Sequence, residues 1–271
     1  MVEWHLGTIG FTYAEWKGSF YPPGLPAGQM LSHYSKIFNA VEINTTFYGP
    51  QPPAQVERWA RATPPDFCFS LKAPRQVTHE QRLQPGADAP MRVFIESALA
   101  LGSKFGPLLI QLPPSFQAGE LAAVERFLAA LPVGDAYREV RYALEFRHAS
   151  WHLPQPAAAL EEVLRRYGVG WVATDYEDLP VEIHRTAPFL YVRWIGQHNV
   201  IPHPGYEVLD RQARLAGWLE RIAEHAEGLN DVFGFFDNDY AGHSPATCNR
   251  MKALIGLPVT STPAEDQGRL F

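Results

Sequence analysis

A single (β/α)8 barrel of the TIM type is the fold this sequence predicts, on three observations. Strand-like and helix-like stretches alternate over roughly 250 of the 271 residues, the expected signature of that architecture. Five strand-like stretches share one design, an apolar run ending in a charged or amide side chain: 41–44, 69–72, 142–147, 190–193 and 233–237. Strands buried on both faces read as continuous apolar runs, so polar residues at the same end of several bring those ends to one site. The first strand is followed by Gly7-Thr8-Ile9-Gly10 rather than by a Gly-x-Gly-x-x-Gly fingerprint, which argues against a doubly wound dinucleotide fold.

In chain order, strands are expected near 3–7, 39–44, 67–72, 107–112, 141–146, 169–174, 189–194 and 231–236, from alternation and β-branched or aromatic content. Between them, Leu31, Tyr34, Ile37 and Phe38 fit one helical face, and Val56, Trp59 and Ala60 another. The faces continue with Phe94, Ile95, Ala98 and Leu101, then with Leu121, Val124, Phe127, Leu128 and Leu131. Leu160, Val163, Leu164 and Tyr167 form the fifth, and Leu215, Trp218, Leu219, Ile222 and Ala226 the seventh, all at the 3.6-residue period of a helix with one buried side. Asp88-Ala89-Pro90 and Ser244-Pro245 mark helix starts, with Ser244 as the expected N-cap and proline in the first turn. Pro180 and Pro188 leave too little periodicity for a sixth helix, so that connection is expected to be an irregular loop.

The hydrophobic content of 46% supports a large core and the charged content of 19% argues against general disorder. A net charge of −6 argues against a broadly cationic nucleic-acid coat, while leaving room for a local basic groove. Only Cys68 and Cys248 are present, too few for a disulfide framework or a cysteine zinc site, which suits a reducing cytoplasm. Cys68 reads as a buried strand residue. The start lacks the basic and apolar regions of a signal peptide, and no stretch approaches the ~20 apolar residues that cross a bilayer; no membrane role is expected.

Several motifs together resemble one family. They are Gly7-Thr8-Ile9-Gly10-Phe11 with Trp16-Lys17-Gly18 and Phe20-Tyr21-Pro22, Val41-Glu42-Ile43-Asn44-Thr45-Thr46-Phe47-Tyr48, and Gly106-Pro107-Leu108-Leu109-Ile110-Gln111-Leu112-Pro113-Pro114. Glu145-Phe146-Arg147, Tyr191-Val192-Arg193 and Phe236-Asp237-Asn238-Asp239 complete the set. The chain is similar in these to the YecE-like family, known as domain of unknown function 72, over about residues 3–256. That resemblance implies a TIM-type barrel and supplies no reaction. The family usually carries paired asparagines after its last strand, whereas here Asp237 precedes Asn238, which adds an acid at that place.

Period two along each strand puts Glu42 and Asn44, Ser70 and Lys72, Gln111, Glu145 and Arg147, Arg193, and Asp237 on the inner face, with Asp175 just after the sixth strand. In a barrel of this type function gathers at the C-terminal strand ends. So many charges share a small mouth only if they pair, hold a ligand or bind a metal. The bland reading is a structural ion network. The functional one takes Glu145, Asp237, Lys72 and Glu42 as catalytic, Glu145 first as general acid or base with Asp237 opposing it. Lys72 would stand beside a developing anion or act as a Schiff-base amine.

Arg147 and Arg193 suit bidentate capture of phosphate or carboxylate, and Asn44, Gln111, Asp175, Asn238, Tyr13 and Tyr48 complete the expected substrate contacts. The helix starting at Ser244 offers backbone N–H groups to a phosphate. Trp16, Phe20 and Tyr21 are expected to seal the loop after the first strand. Histidines 5, 79, 148, 152, 198, 203 and 243 lie near strand ends, so the side-chain types suit a divalent metal; no ligand spacing supports one, and it is not favoured.

The expected function is an enzyme on a phosphate-bearing or other anionic substrate, a hydrolase or lyase with a role in nucleic-acid processing. The rivals are a carbohydrate-active enzyme with paired carboxylates and a non-catalytic ligand-binding or adaptor protein. Residues 1–256 form the barrel domain and 257–271 a flexible tail. The tail ends Gln267-Gly268-Arg269-Leu270-Phe271 and resembles the Gln-x-x-Leu-Phe peptide that enters the cleft of the DNA sliding clamp. On that reading Gln267, Leu270 and Phe271 bind a partner.

Overall fold

The structure is a computed structural model that describes residues 2–176 and 178–260. Its strands are β1 (Glu3–Ile9), β2 (Ala40–Ile43), β3 (Cys68–Leu71), β4 (Leu108–Gln111), β5 (Tyr142–Glu145), β6 (Gly170–Trp171), β7 (Ala173–Tyr176), β8 (Phe189–Gly196) and β9 (Asp231–Phe236). Each expected strand is present, and the sixth is divided at Val172 into β6 and β7. Every pairing is parallel. Six strands run in the order β3-β2-β1-β9-β8-β7 and three in the order β4-β5-β6. Between the two sheets, Phe69 bridges Phe105 and Lys72 bridges Leu109, both in parallel sense, with the Ala73 N–H donating to the Leu109 carbonyl at 2.8 Å. The chain is thus an α/β fold built on mainly parallel strands.

The helices are α1 (Met30–Tyr34), α2 (Pro53–Arg61), α3 (Asp88–Ala98), α4 (Leu121–Ala130), α5 (Pro154–Tyr167), α6 (Gln212–Glu224), α7 (Asn238–Ala241) and α8 (Ser244–Leu254). Proline opens α2 and α5, where its missing N–H costs nothing. Gly168 closes α5 at φ +65°, a conformation glycine adopts without strain. Residues 178–188 carry no helix, matching the aperiodic sequence there. The first helix is shorter than the apolar spacing predicts: it stops at Tyr34, and Ile37 and Phe38 reach the core from the turn that follows. The N-cap of α8 is His243 rather than Ser244.

Strand residues divide cleanly by side. One buried cluster holds Leu6, Val41, Phe69, Ile110, Leu144 and Trp194 with the apolar faces of the helices. A second holds Ile9, Ala40, Cys68, Leu109, Ala143, Tyr191, Phe233 and Phe235, from the opposite faces of the same strands. Alternation along a pleated strand produces this division, and burial on both faces explains why the strands read as nearly unbroken apolar runs. Cys68 is buried in β3 as expected. Gly7 is required where β1 meets β2, because a Cβ there would lie 1.8 Å from the Ala40 carbonyl oxygen. Trp16, Phe20 and Tyr21 are all buried and mutually packed, sealing the loop after β1.

Candidate functional site

The second cluster carries buried ionic side chains toward the C-terminal ends of its strands. Glu42 on β2 and Glu145 on β5 are both 0% exposed. Such carboxylates demand partners, and Arg193 on β8 supplies them. Its Nε donates to Glu42 Oε2 and its Nη2 to Glu42 Oε1, each at 2.9 Å. Its Nη1 donates to Glu145 Oε2. Arg147, two residues beyond Glu145, donates from Nε to Glu145 Oε1 at 2.6 Å. Tyr191 adds a hydroxyl to Glu42 Oε2 at 2.9 Å, and Ser70 stands 2.6 Å from that hydroxyl. Residues from β2, β3, β5 and β8 thereby form one hydrogen-bonded network.

This network fixes the protonation states. Burial alone would raise the Glu145 carboxyl, but Arg147 and Arg193 outweigh it and hold it down at about 2. A carboxylate gripped on both oxygens is a poor proton acceptor at neutral pH, so the geometry favours Glu145 as a fixed anion over Glu145 as a base. Lys72 behaves in the opposite way. Burial lowers its amine to about 8, with Arg193 and Arg147 adding repulsion against the pull of Glu145 and Glu42. Lys72 Nζ lies 4.3 Å from the Phe47 ring centroid and has no ion pair or hydrogen bond among the described residues. His79, edge-on to the same ring at 4.9 Å, is lowered to about 4 by burial and by Lys72, Arg75 and Arg147, so it stays neutral.

Arg147 uses only Nε on Glu145; its guanidinium faces the Tyr176 ring at 5.1 Å, and both Nη groups lack a protein partner among the described residues. Asp237 follows β9 and accepts the Asp239 N–H through Oδ1 at 3.0 Å. Burial raises its carboxyl and the Asp239 charge adds to this, against the Asp239 N–H, Arg193 and His198. Tyr13 donates to the Ile9 carbonyl at 2.6 Å; burial, then the charges of Asp237 and Glu42, push its hydroxyl upward. Asn44 and Tyr13 line one cleft of about 200 Å³, and the buried Asn44 Oδ1 has no hydrogen-bond partner among the described residues. Gln111, paired in register with Glu145, donates from Nε2 to the Leu112 carbonyl at 3.1 Å.

Three expected contacts are placed elsewhere. Asp175 pairs in register with Trp194, on the helix-facing side of β7. There Arg214 Nε reaches both carboxylate oxygens, at 2.9 and 2.7 Å, while Trp218 Nε1 and Tyr240 OH donate to Oδ2 at 2.7 and 2.9 Å. Asn238 Oδ1 accepts from the Ser244 N–H at 3.0 Å, the Ser244 hydroxyl at 2.8 Å and Trp16 Nε1 at 3.2 Å. It therefore ties the first loop to α8 and occupies one of the N–H groups at the start of that helix. Tyr48 is 85% exposed and lines an outer cleft with Pro74, Gln76 and Val93. Gln267, Leu270 and Phe271 lie outside the described residues.

Sequence reasoning missed Tyr191 and Ser70 as members of the network, although period two already placed Ser70 inward. It also missed Asp239, which accepts from His198 Nδ1 at 2.6 Å and His203 Nε2 at 2.8 Å. Gly196 permits this arrangement: at φ +73° a Cβ would meet the Asp239 carbonyl oxygen at 2.5 Å.

Parallel strands that gather buried acids and bases at their C-terminal ends define an α/β protein with a buried polar centre there. The chain belongs to the family described as Protein of unknown function DUF72, whose pattern matches residues 5–268. It is 25% identical over 272 residues to the UPF0759 protein YunF of Bacillus subtilis, covering 92% of this chain and 94% of that one. It is 33% identical over 146 residues to the UPF0759 protein YecE of Escherichia coli, over 54% of this chain and 52% of that one. A crystal structure of a DUF72 family protein from Thermotoga maritima superposes with a TM-score of 0.76 at 27% identity, covering 94% of this chain and 99% of that one. One from Enterococcus faecalis gives 0.73 at 19% identity, covering 95% and 99%, and bears on the fold alone. Among the described residues no helix is long and apolar enough to cross a membrane.

Proposed function

We propose that residues 1–256 form one closed barrel whose C-terminal mouth is an enzyme site for a phosphate-bearing or other anionic substrate. Closure is supported by the bridges Phe69–Phe105 and Lys72–Leu109 on one side. On the other, β6 and β7 are separated by Val172 alone, whose N–H still donates to the Leu144 carbonyl at 2.9 Å. The two buried clusters then correspond to the inside and the outside of the barrel.

The observation that carries the anionic substrate is the single positive charge in excess, with the free N–H donors beside it, once Glu42 and Glu145 are paired. Arg193 and the Nε of Arg147 consume Glu42 and Glu145, which leaves the Nη groups of Arg147 and the Lys72 amine as unmatched donors. An oxyanion held there neutralises charge already desolvated by the protein, and the fixed network spares reorganisation when charge develops. Asp237, with its raised carboxyl, is the group suited to proton transfer; Glu145 acts by positioning the two arginines. A phosphodiester or sugar phosphate fits this donor set.

The test is a screen of purified protein against phosphodiesters, sugar phosphates and abasic or damaged DNA, alongside inorganic phosphate binding by calorimetry. Turnover lost in Lys72→Met and Asp237→Asn but kept in Asp175→Asn supports the reading. Wild-type protein that neither binds phosphate nor turns over any such substrate overturns it. We further propose that the tail is a clamp-binding peptide; equal capture of the sliding clamp by intact protein and by protein lacking 267–271 would end that idea.

A further inference from the structure

We propose a metal site away from the mouth, formed by His152, Glu182 and His184 and suited to a zinc-type divalent ion. His152 precedes α5, and Glu182 and His184 lie in the irregular connection after β7. One ligand atom from each lies within 4.8 Å of the others. Both imidazoles converge on a single oxygen: His152 Nδ1 is 3.1 Å and His184 Nε2 3.3 Å from Glu182 Oε2. Ligands bonded to one tetrahedral ion at ~2.0–2.1 Å sit roughly 3.3–3.4 Å apart. Two of the three edges, those that meet at Glu182, are thus close to that spacing, and the third lies within 4.8 Å.

His184 supplies the second, independent observation. Its Nδ1 lies 2.7 Å from Glu161 Oε1, and its ring stacks on Trp171 at 4.0 Å. A carboxylate on the far nitrogen fixes the tautomer and orients the ring, as it does for metal-bound histidines. With Nδ1 directed at Glu161, Nε2 is the ring nitrogen left to meet an ion, and it faces the Glu182 carboxylate. His152 leaves the same opening, because its buried Nε2 has no partner among the described residues and so does not commit the ring to donating through Nδ1.

Two imidazoles and one carboxylate form a borderline donor set, which matches zinc better than magnesium or calcium. The ion would staple the helix-free connection to the entry of α5, replacing the tether that a sixth helix would have provided. The site is independent of the reading given to the mouth.

The experiment is zinc titration of the full chain by calorimetry, with cobalt substitution read as visible d–d absorption. Expected is one zinc per chain at this site, a raised Tm, and affinity lower by at least about tenfold in Glu182→Gln and His184→Ala. Glu161→Gln loses about 10- to 100-fold, the cost of removing an orienting carboxylate. Glu182 is exposed, so Glu182→Gln keeps the test meaningful if His184→Ala fails to fold. Wild-type protein that binds no zinc, or Glu182→Gln that binds it with unchanged stoichiometry and affinity, overturns the proposal.

Discussion

Arg193 grips Glu42 through two parallel hydrogen bonds of 2.9 Å while its remaining nitrogen reaches Glu145. One guanidinium thus pairs with two carboxylates drawn from strands far apart in the chain. Arginine alone has the planar fork for this. Removing it leaves the buried Glu42 without a counter-charge and Glu145 with Arg147 alone, so Arg193→Met is expected to cost about 3–5 kcal/mol in urea unfolding. Arg193→Lys is expected to recover little of that loss, since a point charge cannot span both acids.

Lys72 gives the site a titration of its own. Its folded value of about 8 lies below its ordinary 10.5, so between those values the unfolded chain binds more protons. Its contribution to stability therefore increases as pH rises from about 8 to 10.5, and its destabilising cost is complete below 8. Unfolding curves across that window should show Lys72→Met more stable than wild type near pH 7, with the gap closing by pH 10.5. Anion binding should weaken in wild type as pH rises through about 8, and an identical pH profile in Lys72→Met would remove the amine from the site.

Glu145 titrates with the opposite sign. Folding depresses it from 4.5 to about 2, so the stability it confers is complete above 4.5 and disappears as pH falls toward 2. Glu145→Gln is expected to flatten the acid limb of the stability profile while lowering stability at pH 7 by several kcal/mol, about the cost of an arginine left without its charge partner. Acid titration followed by circular dichroism measures both.

Asp175 separates structure from chemistry. Its carboxylate anchors Arg214, Trp218 and Tyr240 on the helix side of β7. Asp175→Asn should lower Tm through those lost charge-assisted bonds, each worth about 1.5–3 kcal/mol, yet leave phosphate affinity within twofold. A tenfold affinity loss at unchanged Tm would place Asp175 in the site.

The sequence by itself determined the alternation of strands and helices, the helix-free sixth connection and the inward set Glu42, Ser70, Lys72, Glu145 and Arg193. Local periodicity carries this information, because a pleated strand can send residues two apart only to the same face. Pairing is different, since it depends on register between segments distant in the chain. Only the tertiary structure decided that Arg193 belongs to Glu42 and Glu145, that Asp175 is claimed by Arg214, and that Asn238 is spent on Ser244. Side chains of one type compete for partners through space, and the competition is settled by distances of a few ångströms that no linear spacing encodes. The same holds for the convergence of His152, Glu182 and His184, which the chain separates by as many as 32 positions and the fold brings to one carboxylate oxygen.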